Sequence, residues 1–164
     1  MGRVQRVEEV DSGRRRFLEL GGGVTLLGLL GAAGQQAPRA EAGEWNKAAF
    51  DARSMKDALA ALGADAPGDG KDIVVTAPEI AENGAVVPIT ATSNIPDTES
   101  IAFLIEKNPN MLAARFTLTP ASVPTVTTRV KLAGTSSVTV LVKAGGKFYA
   151  STKEIKVTLG GCGG

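Results

Sequence analysis

The chain predicts an all-β fold, an immunoglobulin-like antiparallel β-sandwich preceded by one N-terminal helix. Two observations carry this. Apolar residues recur every second position in seven short segments between Ile73 and Leu159, and turn-forming residues fall in the gaps between them. A third places the helix first: between Trp45 and Leu62 the apolar spacing is three and four, before any alternation begins.

The helical stretch presents Trp45, Ala48, Ala52, Met55, Leu59 and Leu62 on one face, with Gly63 as its stop. Residues 64–70, rich in Ala, Asp, Pro and Gly, read as a flexible loop. The strands follow at Ile73 and Val75, Val87 to Ala91, Ile101 to Ile105, and Leu112 to Leu118. The remaining ones are Val126 to Leu132, Val138 to Val142, and Ile155 to Leu159. Between them lie Glu82-Asn83-Gly84, Asn94 to Asp97, Lys107 to Asn110, Pro120 to Pro124, Gly134-Thr135-Ser136 and Ala144-Gly145-Gly146. Gly145-Gly146 supplies the positive φ angles of a tight hairpin. Pro88 has no backbone donor, so an edge or a bulge is expected there. Ser151, Thr152 and Lys153 interrupt the last alternation, which predicts a bulge or a change of sheet. A β-grasp fold would normally set its helix between strands rather than ahead of them all. Val86, Leu104 and Leu141 are apolar on positions opposite the presumed core; they are candidates for a partner-binding face or for the other inner face of the sandwich.

Composition narrows the function. The 164 residues carry 18 basic and 17 acidic side chains, and with residues 1–42 set aside the signs balance at 12 each. That disfavours nucleic acid and anionic membranes as partners. There is no histidine and a single cysteine, so an intrachain disulfide is impossible, the usual general base is missing, and a metal site is not expected. Residues 1–42 read as an export signal, with Arg14-Arg15-Arg16-Phe17-Leu18, a glycine-diluted apolar run from Leu20 to Ala33, and Ala40-Glu41-Ala42 before Gly43. The run spans only ~21 Å as a helix against ~30 Å of hydrocarbon, too short for an anchor. Arg14 and Arg15 followed by Phe-Leu resemble the twin-arginine signal, although Gly13 stands where Ser or Thr is usual and Glu19 where Lys is usual. The resemblance implies a periplasmic mature chain. The organisation expected is a signal over 1–42, helix and loop over 43–70, sandwich over 71–159, and a flexible arm over 160–164.

That arm is Gly160, Gly161, Cys162, Gly163 and Gly164. Four residues without side chains have no apolar area to bury and lose much entropy on ordering, so the segment is expected to stay mobile in water. Three residues past Leu159 put the thiol up to ~10 Å from the sandwich. No Lys or Arg in the arm lowers its pKa, and a reference value of ~8.5 leaves only about 3% thiolate at pH 7. Such a thiol is a poor unaided nucleophile. A thin backbone can instead carry Cys162 into narrow channels of other proteins, with the chemistry belonging to them.

The ending Val157-Thr158-Leu159-Gly160-Gly161-Cys162-Gly163-Gly164 resembles the SoxY family of sulfur-oxidation carriers, as do Thr76 to Pro88, Ser93 to Pro96, Ile105 to Pro109 and Gly146 to Ala150. This resemblance implies a carrier rather than an enzyme, with no cofactor of its own, paired with SoxZ, a small β-sandwich. It implies that Cys162 holds sulfur anions covalently. SoxAX, a haem c protein, would join thiosulfate to the thiol; SoxB, a manganese-dependent hydrolase, would release sulfate and leave a persulfide. SoxCD, a molybdenum and haem enzyme, would oxidise the outer sulfur. Two other readings stay open: a ubiquitin-like carrier that uses the Gly163-Gly164 carboxylate as a thiocarboxylate, and a structural sandwich cross-linked through its thiol.

Overall fold

The computed structural model describes residues 45–159. The predicted Ig-like sandwich is present, and its strands stand close to the expected positions. Two helices, α1 (Lys47–Asp51) and α2 (Met55–Leu62), precede nine strands. These are β1 (Gly68–Asp69), β2 (Ile73–Thr76), β3 (Ile80–Asn83), β4 (Val87–Ser93), β5 (Thr98–Ile105), β6 (Leu112–Thr117), β7 (Thr125–Val130), β8 (Ser136–Ala144) and β9 (Lys147–Leu159). One sheet runs β1-β9-β8-β5-β6 with β3 also on β9; the other runs β2-β4-β7. Their inner faces enclose Ile89, Ile101, Phe103, Val138, Val140 and Ile155, and Phe103 meets Phe116 edge to face at 6.2 Å.

The single expected helix is two. Ala52 is extended (φ −62°, ψ 129°), and Ser54 then caps α2, its Oγ accepting the Asp57 N–H at 3.1 Å. Asn46 caps α1 in the same way through Ala49 N–H. A side-chain acceptor in each first turn satisfies an amide that a continuous helix would have bonded to its own carbonyls. The stop at Gly63 is as expected, with φ +73° and its N–H on Ala60 O. The buried stripe is Ala49, Ala52 and Ala58, whereas Ala48 faces solvent and Trp45, also exposed, stacks on Phe50 at 4.2 Å.

This stripe packs on the outer face of the larger sheet, over Ala102, Leu104, Leu112 and Leu141. Leu104 and Leu141 are therefore core residues beneath the chain's own helices, neither a partner face nor the space between sheets. Val86 is 54% exposed. The Met111 N–H bonds Ala52 O at 3.0 Å, tying the helical layer to the turn after β5.

Two further departures involve β9. The sandwich is not wholly antiparallel, because β1 and β3 both run parallel to β9. Within the loop expected at 64–70, Gly68 and Asp69 pair with Tyr149 and Ala150. No bulge or sheet change occurs at Ser151 to Lys153, where β9 keeps one register with β8 from Lys147 to Ile155. The polar side chains are accommodated singly: Thr152 hydrogen-bonds Thr139 at 2.9 Å, and the Lys153 amine reaches Ala77 O at 2.9 Å. The register shifts fall in β5 instead, at Thr98/Ser100 against β8 and at Phe103/Leu104 against β6.

Gly70 locks β1 to β9. Its N–H donates to Ala150 O at 3.0 Å, and a Cβ there would stand 2.4 Å from that oxygen and 2.8 Å from Ile73 Cδ1. Gly70→Ala is therefore expected to cost roughly 1–3 kcal/mol through the backbone shift it forces. A lower urea midpoint at unchanged m-value checks this; an unchanged midpoint contradicts it.

Candidate functional site

The expected site residues, Cys162 with Gly160, Gly161, Gly163 and Gly164, lie outside the described residues, as do Arg14 and Arg15 of the signal. What the structure supplies is the root from which the last segment departs. Every residue from Lys156 to Leu159 is held. Lys156 N–H donates to Glu79 O at 2.9 Å, and Val157 N–H to Thr135 Oγ1 at 3.0 Å. Thr158 Oγ1 donates to Glu82 O at 3.0 Å, and Leu159 O accepts the Gly84 N–H at 2.8 Å.

The bonds to Glu79, Glu82 and Gly84 exist because β3 lies parallel to β9, with Ala81 opposite Val157 and Asn83 opposite Leu159, while Thr135 reaches Val157 from the turn before β8. The turn after β3 is itself fixed: Asn83 Oδ1 accepts the Ala85 N–H at 2.8 Å, and Gly84 O accepts the Leu132 N–H at 2.7 Å. The root is thus stitched to both sheets up to Leu159, and Cys162 is three residues further on. Sequence reasoning read Glu82-Asn83-Gly84 as a turn only and missed β3. A signal was present in Ile80-Ala81 before that turn, but a parallel partner 76 residues away leaves no local mark.

Around the root, Ile80, Val86 and Leu159 expose large apolar side chains, and Glu82 and Lys156 supply charges of both signs. Among the described residues no group of three or more metal-ligating side chains occurs. No helix of the described residues is long and apolar enough to cross a membrane. A cleft of about 380 Å³ lined by Ile95, Pro96, Asp97, Leu118, Pro120 and Pro124 lies at the opposite pole, where β4 ends and β5 begins, away from the root.

At that distant pole sits Glu99, whose carboxyl is held off its ordinary value by its neighbours. Lys143 hydrogen-bonds Glu99 at 2.5 Å and Gly146 N–H donates to its other oxygen at 2.9 Å, so the carboxyl is held below its ordinary 4.5. A depressed carboxylate stabilises the fold above its unfolded pKa, and that contribution is lost as pH falls through the folded value. Glu99→Gln is therefore expected to lower the urea midpoint slightly at pH 7, with the difference from the parent shrinking below pH 4.5. A gap that widens on acidification would contradict this.

The comparisons with known proteins follow the same lines. The model of the family described as sulfur oxidation protein SoxY matches residues 58–162. No curated protein matches the chain. Among solved structures, the sulfur carrier protein SoxY from Chlorobium limicola f thiosulfatophilum matches at 39% identity, over 66% of this chain and 96% of that one, with a TM-score of 0.59. The matched region begins in α2, takes in every strand and the root, and reaches the cysteine three residues past Leu159. On that extent of agreement the chain belongs to the SoxY family of sulfur-oxidation carrier proteins.

Proposed function

We propose that this protein is a periplasmic carrier that holds thiosulfate-derived intermediates on Cys162 and presents them to partner enzymes. One observation carries the reading: the chain is bonded residue by residue up to Leu159, and the family match continues past that point to residue 162. A fixed root followed by Gly160 and Gly161 gives the thiol a defined origin and a slender approach, since glycine adds no Cβ to the width of the backbone.

The chemistry balances without any catalytic group in the carrier. The Cys162 thiolate and thiosulfate lose two electrons to an external acceptor, the role of SoxAX, as a sulfur–sulfur bond forms and gives a Cys-S-thiosulfonate. Water then cleaves the terminal sulfone in SoxB, releasing sulfate and two protons and leaving a persulfide. Where SoxCD operates, it oxidises that outer sulfur for a second hydrolysis. Tethering keeps the small anion at a raised local concentration throughout. SoxZ is the stable partner in this scheme, and the enzymes visit transiently. Arg14-Arg15 directs export by the twin-arginine route, with residues 1–42 removed.

Intact mass and peptide mapping of protein purified from cells without reductant test this. Sulfur and sulfonate additions are expected on the peptide containing Cys162. Additions confined to the Gly164 carboxylate would favour thiocarboxylate carriage, and a disulfide-linked homodimer with no other adduct would favour the structural reading.

A further inference from the structure

The smaller sheet has two outer strands, and hydrogen-bond phase shows what each offers. The Ser93 N–H donates to Pro124 O at 2.9 Å, one step beyond the Thr92↔Thr125 pair. Bonded and non-bonded pairs alternate along an antiparallel ladder. Val126, Thr128 and Val130 therefore direct their main-chain groups toward β4, while Thr125, Thr127 and Arg129 direct theirs away. The other side of β4 agrees, since Asn94 N–H bonds Asp72 O at 2.8 Å, which turns Thr90 and Thr92 toward β2. The Thr125 N–H closes on Val123 O at 2.8 Å. Among the described residues, the Thr125 carbonyl and both main-chain groups of Thr127 and Arg129 have no partner.

Two other edge strands, β6 and β2, are less suited to pairing with a copy of themselves. Leu118 N–H bonds Glu99 O, so above its register shift β6 turns Arg115 and Thr117 outward, and pairing about its middle would set Arg115 beside Arg115. The β2 strand has only four residues, and its Ile73 N–H is taken by Gly70 O. By contrast β7, Thr-Val-Thr-Thr-Arg-Val, holds no Pro or Gly, is β-branched apart from Arg129, and carries that one charge near its end. Its outer side chains continue an uncharged surface: Val74, Thr92 and Thr125 form one row, and Thr76, Thr90 and Thr127 the next. Thr90–Thr127 and Thr92–Thr125 hydroxyl pairs at 2.9 and 3.0 Å tie its rows across the two strands.

We propose that β7 is a strand-addition site whose occupant is a second copy of this chain, paired antiparallel about a two-fold axis through Thr127. In this register the Thr127 N–H of each copy donates to Thr127 O of the other, and the Arg129 N–H of each donates to Thr125 O. Arg129 stands beside Thr125, so no like charges meet, and Val126 falls opposite Thr128 with their buried and half-buried faces aligned. The product is one continuous sheet, β2-β4-β7 followed by its two-fold mate. Such a contact buries less than ~1,200 Å², so it is weak and reversible.

The test uses the full chain carrying Cys162→Ser in every sample, which removes disulfide pairing. Sedimentation velocity from ~10 µM to ~1 mM is expected to show a reversible dimer, with the Thr127 and Arg129 amides exchanging more slowly as concentration rises. Thr127→Lys and Thr127→Glu alone should each weaken the dimer at least ~tenfold, and an equimolar mixture of the two should recover to within ~threefold of the parent. A parent chain monomeric at ~1 mM, a dimer indifferent to Thr127→Lys, or amides whose exchange ignores concentration would each overturn the proposal.

Discussion

Cys162→Ser is expected to abolish thiosulfate-dependent electron release in a reconstituted system while leaving the unfolding midpoint unchanged. Both halves follow from position. The residue lies three beyond Leu159, in a stretch whose four other residues are glycines and which therefore offers no apolar area to bury. A serine hydroxyl cannot form the sulfur–sulfur bond on which carriage depends, and nothing else in the chain can substitute, because no second cysteine exists. The loss should therefore be complete rather than graded. Stopped-flow reduction of the electron acceptor, with a urea titration of the same sample, measures the two together; retained turnover in the serine variant would exclude covalent carriage at this thiol.

Leu104→Ala should instead spare the chemistry and damage the fold. Leu104 is fully buried on the outer face of β5, enclosed with Ala102, Leu112 and Leu141 under the small side chains of α1 and α2. Truncating it removes buried methylenes and leaves a cavity that two separately capped short helices can fill only by shifting, a cost of roughly 2–5 kcal/mol. Against a total of about 5–15 kcal/mol for a domain, that is a large share. Val86→Ala, at a half-exposed position, should change stability by less than ~0.5 kcal/mol. Urea unfolding of the isolated chain separates the two. Equal midpoints for parent and Leu104→Ala would mean that the outer face is not core, and would return Leu104 to the partner-binding candidates.

How much was legible follows from the range of each interaction. The core strands were readable because alternation is local: Val138, Val140 and Val142 announce a face without reference to their partners. Pro88 is neither on an edge strand nor at a bulge, contrary to what its missing donor led one to expect. It sits in the central strand β4, but its ladder phase points its missing N–H toward β2, which pairs only from Thr90 to Ser93. The helical cover over β5 and β8 left a mark that was not used: Ile101-Ala102-Phe103-Leu104-Ile105 is apolar without interruption, the pattern of a strand buried on both faces. The break between α1 and α2 depended on whether Ser54 would cap or continue, a contest that apolar spacing does not report. The parallel strands β1 and β3 were invisible for a different reason. Gly68-Asp69 has no pattern of its own and becomes a strand only because Gly70 lets the chain approach Ala150. The cysteine and its glycines stood out by composition alone, whereas the seating of Leu159 against Gly84, from which they continue, is disclosed only by the fold.

The central claim is that sulfur passes through Cys162 on the way to product. It is tested most directly by a single-turnover experiment in which thiosulfate carrying isotopically labelled sulfur is mixed with the carrier and its enzymes and the Cys162 peptide is followed by mass spectrometry. The label should appear on that peptide no later than electrons reach the acceptor and leave it at the rate sulfate is formed. Labelled sulfate produced at full rate while the Cys162 peptide never carries label would contradict the account.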